Sequence, residues 1–482
     1  MNNSKQMSAR ARIEALLDDN SFVEIGALVS ARNTDFNMMK TEAPSDGVIT
    51  GYGTVDDSLV YVYSQDSAVL GGSVGEMHAK KIAKIYELAL KVGAPVVGMI
   101  DCSGMRLQEA TDALDAFGEL YRVQTMASGV IPQLTAVFGM CGGGAALIPA
   151  MTDFTLMSAD GRLFVNTPNA LEGNYVEKCD TAKASYQAES GLVDVLADDD
   201  AQVIVKLRQL LTMLPLNNED SAVYDVSEDD LNRENTALDG VLDTAYILQD
   251  IADDHMFYEL KPMYAKEMVT GFLKLNGQTV GAVANRSEFL DENGEVSARE
   301  DALLSTAGAR KAAQFVKFCD AFNIPVLTLV NVEGYKATKH EERTIAKACA
   351  SLTCAFADAT VPKVTVIVGK AYGSAYLAMN SRHIGADLVY AYPKAQIGMM
   401  DAKGAASIIY ADELKEAKDA QALLEEKTAA YEALQTSPVS AAKRGYVDSI
   451  IEPAATRKRV IAAFEMLYTK REDRPVKKHG TI

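Results

Sequence analysis

Two glycine-rich segments contain the residues of this chain that are best suited to chemistry. The first glycine run, Gly139-Met-Cys-Gly-Gly-Gly-Ala, follows the strand-like LTAVF, and the second, Gly369-Lys-Ala-Tyr-Gly-Ser-Ala, follows VTVIV. Glycine lets the backbone come close to a ligand, and the first N–H groups of a following helix have no intrahelical acceptor. Such donors suit a developing enolate or tetrahedral oxyanion. A glycine-rich helix–strand contact without a ligand is the structural alternative.

The two glycine runs belong to a duplication that covers the chain. Two hairpin-like segments, one from Ile49 and one from Val269, are each followed by a helical pattern and an apolar strand. Repeated motifs at a fixed spacing predict related domains. Residues that recur 230 positions apart are Pro95 and Pro325, Gly104 and Gly334, Pro132 and Pro362, Gly139 and Gly369, and Gly143 and Gly373.

Short apolar strands alternate with helical patterns in both halves, which predicts the α/β class with sheets covered on both faces. At 482 residues the chain is long enough for two domains. A polar segment from Asn217 reads as a linker, so we expect domains at residues 1–235 and 236–482.

Composition excludes several classes of function. The net charge of −19 disfavours a nucleic-acid or anionic membrane surface as a general partner. No apolar stretch is long enough to span a membrane and no signal segment precedes the first helix pattern, so a cytoplasmic protein is expected. Any association with a membrane complex would be peripheral. The six cysteines form no CxxC pair and the five histidines no HExxH motif, so no metal site and no disulfide framework are expected.

Several segments carry a family resemblance. GYGTV, VYSQD, GGSVGEMHAKK, LKVGAPVVG and SGVIPQ in the first half, with VTGF, VGAVAN, PVLTLV, ATVPKVTVI and GKAYGSAY in the second, follow one family's order. The chain thereby resembles acyl-CoA carboxyltransferases, the β-subunits of propionyl- and acetyl-CoA carboxylases and the α-subunits of methylmalonyl- and glutaconyl-CoA decarboxylases. This resemblance implies two tandem crotonase-like (ClpP/crotonase) domains.

The resemblance also implies a reaction, in which a carboxyl group moves between carboxybiotin and the α-carbon of an acyl-CoA. The first domain would hold acyl-CoA and the second carboxybiotin, with the enolate held by backbone N–H groups. By motif, the catalytic positions would be Gly142, Gly143, Gly144, Gly373, Ser374 and Ala375. Acyl-CoA would contact Gly71, Gly72, Gly104, Met105, Arg106 and Ala145, and the biotin or acyl pocket would include Tyr372, Tyr376, Leu377 and Gly334.

Cofactor and partners follow from the same resemblance. The chain contains no Met-Lys-Met biotinylation motif and no glycine-rich ATP-binding domain. Biotin would therefore arrive on a separate biotin carboxyl carrier protein, backed by a biotin carboxylase or by membrane decarboxylase subunits. The family implies a homo-oligomer built from dimer units, commonly a hexamer, with the active site shared between subunits. Carboxylation and decarboxylation both stay open.

Departures from the family pattern lie on the expected biotin side. Leu377 replaces an aspartate that follows the tyrosine in propionyl-type enzymes. The segment EGYKATKHEERT from Glu333 lacks the family's PGFLPGTDQE loop, and MMDAKGA from Met399 replaces MGPEGA. These changes leave room for a different acyl preference, a decarboxylase role or a divergent partner.

Three competing hypotheses remain. Gly71-Gly-Ser-Val-Gly matches the GxSxG nucleophile elbow of hydrolases. A crotonase-type hydratase or isomerase would need paired carboxylates, for which Glu76 and Glu109 are the candidates. A scaffold without activity is the third. In the same region, His78 is expected to be structural, and Lys80 and Lys81 to be solvated helix charges.

Overall fold

The structure is a computed structural model that describes residues 6–32, 42–220, 223–478 and 480–482. The chain divides into two compact units. The first comprises Met1–Ser221 and Lys261–Tyr264, and the second Ala222–Leu260 and Ala265–Ile482.

The first unit is built on a mixed sheet in the order β1-β2-β3-β4-β5-β6-β8, with β7 beside the far end of β5. Pairing is antiparallel from β1 to β3 and parallel from β3 onward. Its strands are β1 (Val23–Glu24), β2 (Val48–Val55), β3 (Ser58–Gln65), β4 (Val96–Cys102), β5 (Gln133–Gly142), β6 (Phe154–Ser158), β7 (Arg162–Phe164) and β8 (Val195–Ala197).

Helices cover this sheet, and the residues at their two ends explain where they begin and end. Helix α2 ends at Gly93, which takes the left-handed conformation that glycine tolerates best. Asp199 caps α7 by accepting the Gln202 N–H. The helices are α1 (Ala9–Leu16), α2 (Glu76–Val92), α3 (Ala110–Ala127), α4 (Leu147–Ala150), α5 (Asn174–Glu177), α6 (Ala184–Glu189) and α7 (Asp200–Leu211).

The second unit repeats this sheet in the order β20-β18-β17-β15-β11-β10-β9, with β19 beside the far end of β17. Two small two-stranded sheets, β12–β13 and β14–β16, are added to it. The strands are β9 (Phe257–Leu260), β10 (Met268–Leu275), β11 (Gln278–Asn285), β12 (Glu288–Leu290), β13 (Val296–Arg299), β14 (Leu303–Leu304), β15 (Val326–Val332), β16 (Gly334–Tyr335), β17 (Lys363–Tyr372), β18 (Leu388–Ala391), β19 (Gln396–Gly398) and β20 (Ser449–Ile450).

The helices of the second unit fall into two groups. Some pack on the sheet, as α9 does through its buried face, whereas α13 and α14 bury none of their residues. The helices are α8 (Thr244–Ile251), α9 (Thr306–Ala321), α10 (Ile345–Asp358), α11 (Gly373–Ala378), α12 (Ala402–Ile409), α13 (Ala411–Glu416), α14 (Ala420–Tyr431), α15 (Pro438–Lys443) and α16 (Thr456–Leu467). Among the described residues, no helix is both long and apolar enough to cross a membrane.

The duplication extends to details of the backbone. The β2–β3 hairpin turns through Asp56 and Asp57, and the β10–β11 hairpin through Asn276 and Gly277, all with positive φ as a tight hairpin turn of two residues requires. The pairing of β4 with β5 shifts register between Ile100 and Cys102, and that of β15 with β17 shifts at the equivalent place. In both units the extra residues lie in the strand that carries the glycine run, β5 or β17, at the point where the run begins.

Candidate functional site

The first glycine run ends β5 and begins the turn that leads into α4. Gly143 has a φ of +63°, and a Cβ built on it would face open space. The flanking glycines are closely packed, since a Cβ on Gly142 would lie 2.8 Å from the Phe164 ring, and one on Gly144 3.1 Å from Tyr121 Oη. Gly143 is thus the position of this run that is open to a ligand.

A second backbone segment lies beside this run. Ser103 N–H donates to the Gly71 carbonyl at 3.0 Å, and Val74 N–H donates to the Gly104 carbonyl at 2.9 Å. A Cβ built on Gly104 would lie 3.4 Å from the Gly142 carbonyl oxygen. The expected acyl-CoA positions Gly71, Gly72, Gly104, Met105 and the buried Ala145 therefore lie beside the predicted catalytic positions Gly142 and Gly144.

Arg106 lies beneath these loops and is only 1% exposed. Its guanidinium pairs with Asp46 and with Glu109, and it donates to the Ser73 carbonyl at 2.7 Å. Burial raises the pKa of Asp46, and the Arg106 charge opposes that rise. The contacts of Arg106 tie the Gly71–Val74 loop to the protein interior, while a direct contact with acyl-CoA stays a prediction.

His78 and Lys81 complete this buried network. His78 Nδ1 donates to the Asp46 carbonyl at 2.9 Å, so Nε2 is left to accept from Gln65 at 3.1 Å. Burial lowers the pKa of His78 to about 3, so the ring is neutral and structural, as predicted. The prediction of a solvated Lys81 is wrong, because its ammonium is buried and donates to the carbonyls of Ser45 and Val48. Burial lowers its pKa to about 8.

Sequence reasoning missed a pair of buried polar residues at the strand irregularities. Asp101 accepts the Met140 N–H at 3.2 Å, and Asn331, 230 positions later, accepts the Lys370 N–H at 3.0 Å. A Cβ on Gly139 or Gly369 would come within about 2.4 Å of these side-chain oxygens. The first glycine of each run is therefore explained by packing. A polar residue inside each apolar strand was the available signal.

The second glycine run ends β17 and begins α11. Gly373 has a φ of +60°, which matches Gly143, and a Cβ on it would lie 3.1 Å from the Met399 carbonyl oxygen. Ser374 is exposed and accepts a hydrogen bond from the Tyr335 hydroxyl at 3.0 Å, whereas Ala375 is buried. The structure therefore brings Gly334 and its neighbour Tyr335 to the expected biotin-side positions.

Three other predicted pocket residues occupy different environments. The buried Tyr372 donates its hydroxyl to Gln396. Tyr376 is also buried, its hydroxyl has no partner among the described residues, and burial raises its pKa to about 12. Leu377 is 37% exposed. Of the three, Leu377 alone presents a substantial surface to a ligand, and the roles of all three stay predictions.

A cavity of about 880 Å³ in the second unit lies elsewhere on the same sheet edge. Its walls carry the ion pairs Lys370–Glu333 at 2.8 Å, Lys394–Asp239 at 2.9 Å and Arg299–Glu288 at 3.1 Å. Residues Gly373–Ala375 do not line it. A large cavity is the usual first candidate for an active site, but here the backbone donors and the open left-handed glycine lie at the glycine runs.

The competing hypotheses find little support in this geometry. Ser73 donates to the Leu70 carbonyl at 2.7 Å and is buried against Arg106, so it is not an exposed nucleophile. Glu109 is paired with Arg106, and Glu76 with Arg32 and Lys80. In the described part of the chain, no three histidine, cysteine or acidic side chains converge as a metal site requires.

Comparison with known proteins identifies the family. The model of the carboxyl transferase domain matches residues 2–482. The chain belongs to the carboxyl transferase family. This carboxyl transferase is 40% identical to the methylmalonyl-CoA decarboxylase subunit alpha of Propionigenium modestum, covering 99% of this chain and 93% of the relative. It is also 40% identical to the propionyl-CoA carboxylase beta chain of Roseobacter denitrificans, covering 99% and 94%.

A solved structure shows the same fold. The transcarboxylase 12S crystal structure with methylmalonyl-coenzyme A and methylmalonic acid bound superposes with a TM-score of 0.92 at 38% identity, covering 99% of this chain and 92% of that one. The predicted family and the fold of two tandem crotonase-like domains are confirmed. The chain is an enzyme of the acyl-CoA carboxylase and decarboxylase type.

Proposed function

We propose that this carboxyl transferase moves a carboxyl group between carboxybiotin and the α-carbon of an acyl-CoA, with the enolate oxygen held by backbone N–H groups. The observation that carries the proposal is the repeated site geometry. Each unit ends a central strand with a glycine at φ near +60°, Gly143 or Gly373, followed at once by helical turns. Two such sites suit two carbonyl-bearing ligands.

The first unit is the acyl-CoA side in this proposal. N–H groups of Gly142–Gly144 donate to the thioester oxygen and stabilise the negative charge that develops when the α-proton leaves. That proton would pass to the urea nitrogen from which the carboxyl group is released, so no side-chain base is needed. The loop from Gly71 to Val74, held by Arg106, forms the neighbouring wall. Few side chains at this site can act as acids or bases, because His78, Glu76 and Glu109 already have partners. The chemistry therefore depends on fixed backbone dipoles.

The second unit is the biotin side, and its residues fit that group. Biotin supplies a urea ring that carries the carboxyl group on nitrogen. The urea oxygen is a hydrogen-bond acceptor, and the second glycine run offers backbone donors at Gly373 and Ala375 and the exposed hydroxyl of Ser374. We infer that the functional boundary between the two sides lies near residue 235.

Partners are part of the proposal. A biotin carboxyl carrier protein would deliver the cofactor, and a biotin carboxylase or membrane decarboxylase subunits would complete the cycle. Support comes from the carboxylase and decarboxylase subunits among the relatives. A hexamer built from dimer units is proposed because the related transcarboxylase 12S is described as a hexamer.

Decarboxylation is the second candidate direction, since two methylmalonyl-CoA decarboxylase α-subunits stand among the relatives, one 42% identical from Veillonella parvula. Both directions use the same enolate, so the partner subunits would set the flow. A hydratase or isomerase is disfavoured because both carboxylates proposed for it, Glu76 and Glu109, form ion pairs with arginine side chains.

The test is decarboxylation of malonyl-, methylmalonyl- and glutaconyl-CoA by the isolated protein, with and without free biotin. Turnover of one thioester only with biotin present would support the proposal and name the acyl group. Turnover that does not need biotin, or hydration of an enoyl-CoA in its place, would contradict it.

A further inference from the structure

Two hydroxyl groups meet at the second glycine run. The Tyr335 hydroxyl donates to Ser374 Oγ at 3.0 Å. Both residues are exposed, Tyr335 to 37%, so the pair lies on the accessible side of the run. Ser374 directly follows Gly373, whose φ of +60° turns the chain out of β17. The hydroxyl pair therefore borders the place where the second ligand is proposed to bind.

The first unit has the same two positions with different chemistry. The residues 230 positions earlier are Met105 and Gly144. A Cβ built on Gly144 would lie 3.2 Å from Met105 Cε, so these positions also approach each other. One unit thus places a thioether over a glycine, and the other joins two hydroxyls. Because the two units have the same backbone path here, they differ only in side-chain chemistry. That difference is what we expect of two sites that bind different ligands.

We propose that Tyr335 is a positioning residue that holds the Ser374 hydroxyl so that it donates to the urea oxygen of biotin. This inference rests on the proposed function, which assigns biotin to the second unit. A serine hydroxyl has one proton and two lone pairs. When Tyr335 donates to one lone pair, the Ser374 proton stays available for another acceptor.

The hydroxyl chain also changes the strength of the donor. A hydrogen bond accepted by a hydroxyl polarises its own O–H group. The polarised Ser374 hydroxyl stabilises partial negative charge on a urea oxygen better than an isolated serine would. No proton needs to move, because Tyr335 and Ser374 keep their protons throughout.

Removal of single hydroxyls tests the proposal. Tyr335→Phe deletes one exposed oxygen and Ser374→Ala its acceptor, so both proteins should fold normally. We expect Tyr335→Phe to weaken free-biotin binding, measured by calorimetry, and to raise the KM for biotin, each by about three- to tenfold, as loss of one hydrogen bond implies. The KM for acyl-CoA should not change. Tyr224→Phe, an exposed tyrosine of the same unit, is the matched control.

The double variant separates positioning from a general structural effect. If Tyr335 acts through Ser374, then Tyr335→Phe should add no further loss of biotin affinity in the Ser374→Ala background. Two outcomes would overturn this inference alone, provided that the wild type depends on biotin. The first is an equal loss of biotin affinity on Tyr335→Phe in both backgrounds, and the second is an unchanged biotin affinity in the Tyr335→Phe single variant. A wild type whose turnover ignores biotin would overturn the proposed function and this inference with it.

Discussion

The glycine-run edges of the two sheets have the same backbone path but differ in their buried charge. In the first unit Arg106 pairs with Asp46 and Glu109, and Arg12 pairs with Asp101 at 3.4 Å. At the equivalent places the second unit has the exposed Lys336 and the neutral Asn331, bonded to Ser287 at 2.8 Å. The first edge is therefore held by internal ion pairs, whereas the equivalent positions of the second edge carry an exposed lysine and a neutral, hydrogen-bonded amide.

The largest expected effect is on stability, from Arg106→Met. This change leaves the buried Asp46 and Glu109 carboxylates without their cation, which we expect to cost about 3–5 kcal/mol. The matched control is Lys336→Met in the second unit, where an exposed side chain should matter by less than about 0.5 kcal/mol. Urea unfolding of both variants measures the difference. Equal losses would mean that the two edges are not held differently.

Gly143→Val should come next, with turnover reduced by about 10²–10³-fold because the side chain fills the open space before the donors. Valine at a φ of +63° also strains the backbone. Gly445→Val controls for that strain, since Gly445 has a φ of +79° and equally open surroundings away from the runs. If Gly143→Val keeps normal turnover, or Gly445→Val loses as much, the assigned site is wrong.

Leu377→Asp should alter acyl preference by about tenfold, because a carboxylate would replace an exposed apolar surface beside the second run. The ratio of kcat/KM values across the acyl-CoA panel measures this. Leu434→Asp, at an exposed leucine far along the chain, should leave the ratio unchanged. An identical profile for Leu377→Asp and wild type would remove this residue from the pocket.

The smallest effect concerns two carboxylates that directly precede equivalent strands, β6 and β18. Asp153 accepts the Gln133 N–H, and Asp387 accepts the Lys363 N–H while pairing with Lys470. Burial raises the pKa of Asp153 to about 7, and neighbouring Asp194 adds to the rise. A group with a raised folded pKa stabilises fully below its unfolded pKa and loses that stability as the pH rises through 7.

Asp153→Asn should therefore be more stable than wild type by about 1 kcal/mol at pH 8, and the gain should vanish near pH 4. Asp387→Asn should instead lose stability at pH 8, because its ion pair disappears. Thermal unfolding at both pH values tests the contrast. A destabilised Asp153→Asn protein at pH 8 would show that this carboxylate is needed in its charged form.

Sequence predicted the repeated elements well because the offset of 230 fixes which residues are equivalent. It placed both glycine runs between a strand and a helix, where β5 and β17 end. It failed for Lys81, since a lysine in a helical pattern looks the same whether its ammonium meets water or buried carbonyls. The pairing of Tyr335 with Ser374 was also missed, because it depends on how two separate strand ends come together.

The helices from Ala402 to Tyr431 are held by few buried residues, so we expect them to open locally more often than the rest of the second unit. α13 and α14 bury no residues, and α12 buries only Ala405 and Ala406. Segments with so few buried contacts open locally at a small fraction of the free energy of global unfolding. Their amide protons should therefore exchange with solvent orders of magnitude sooner than those of β15 and β17, and any partner that covers them would slow that exchange first.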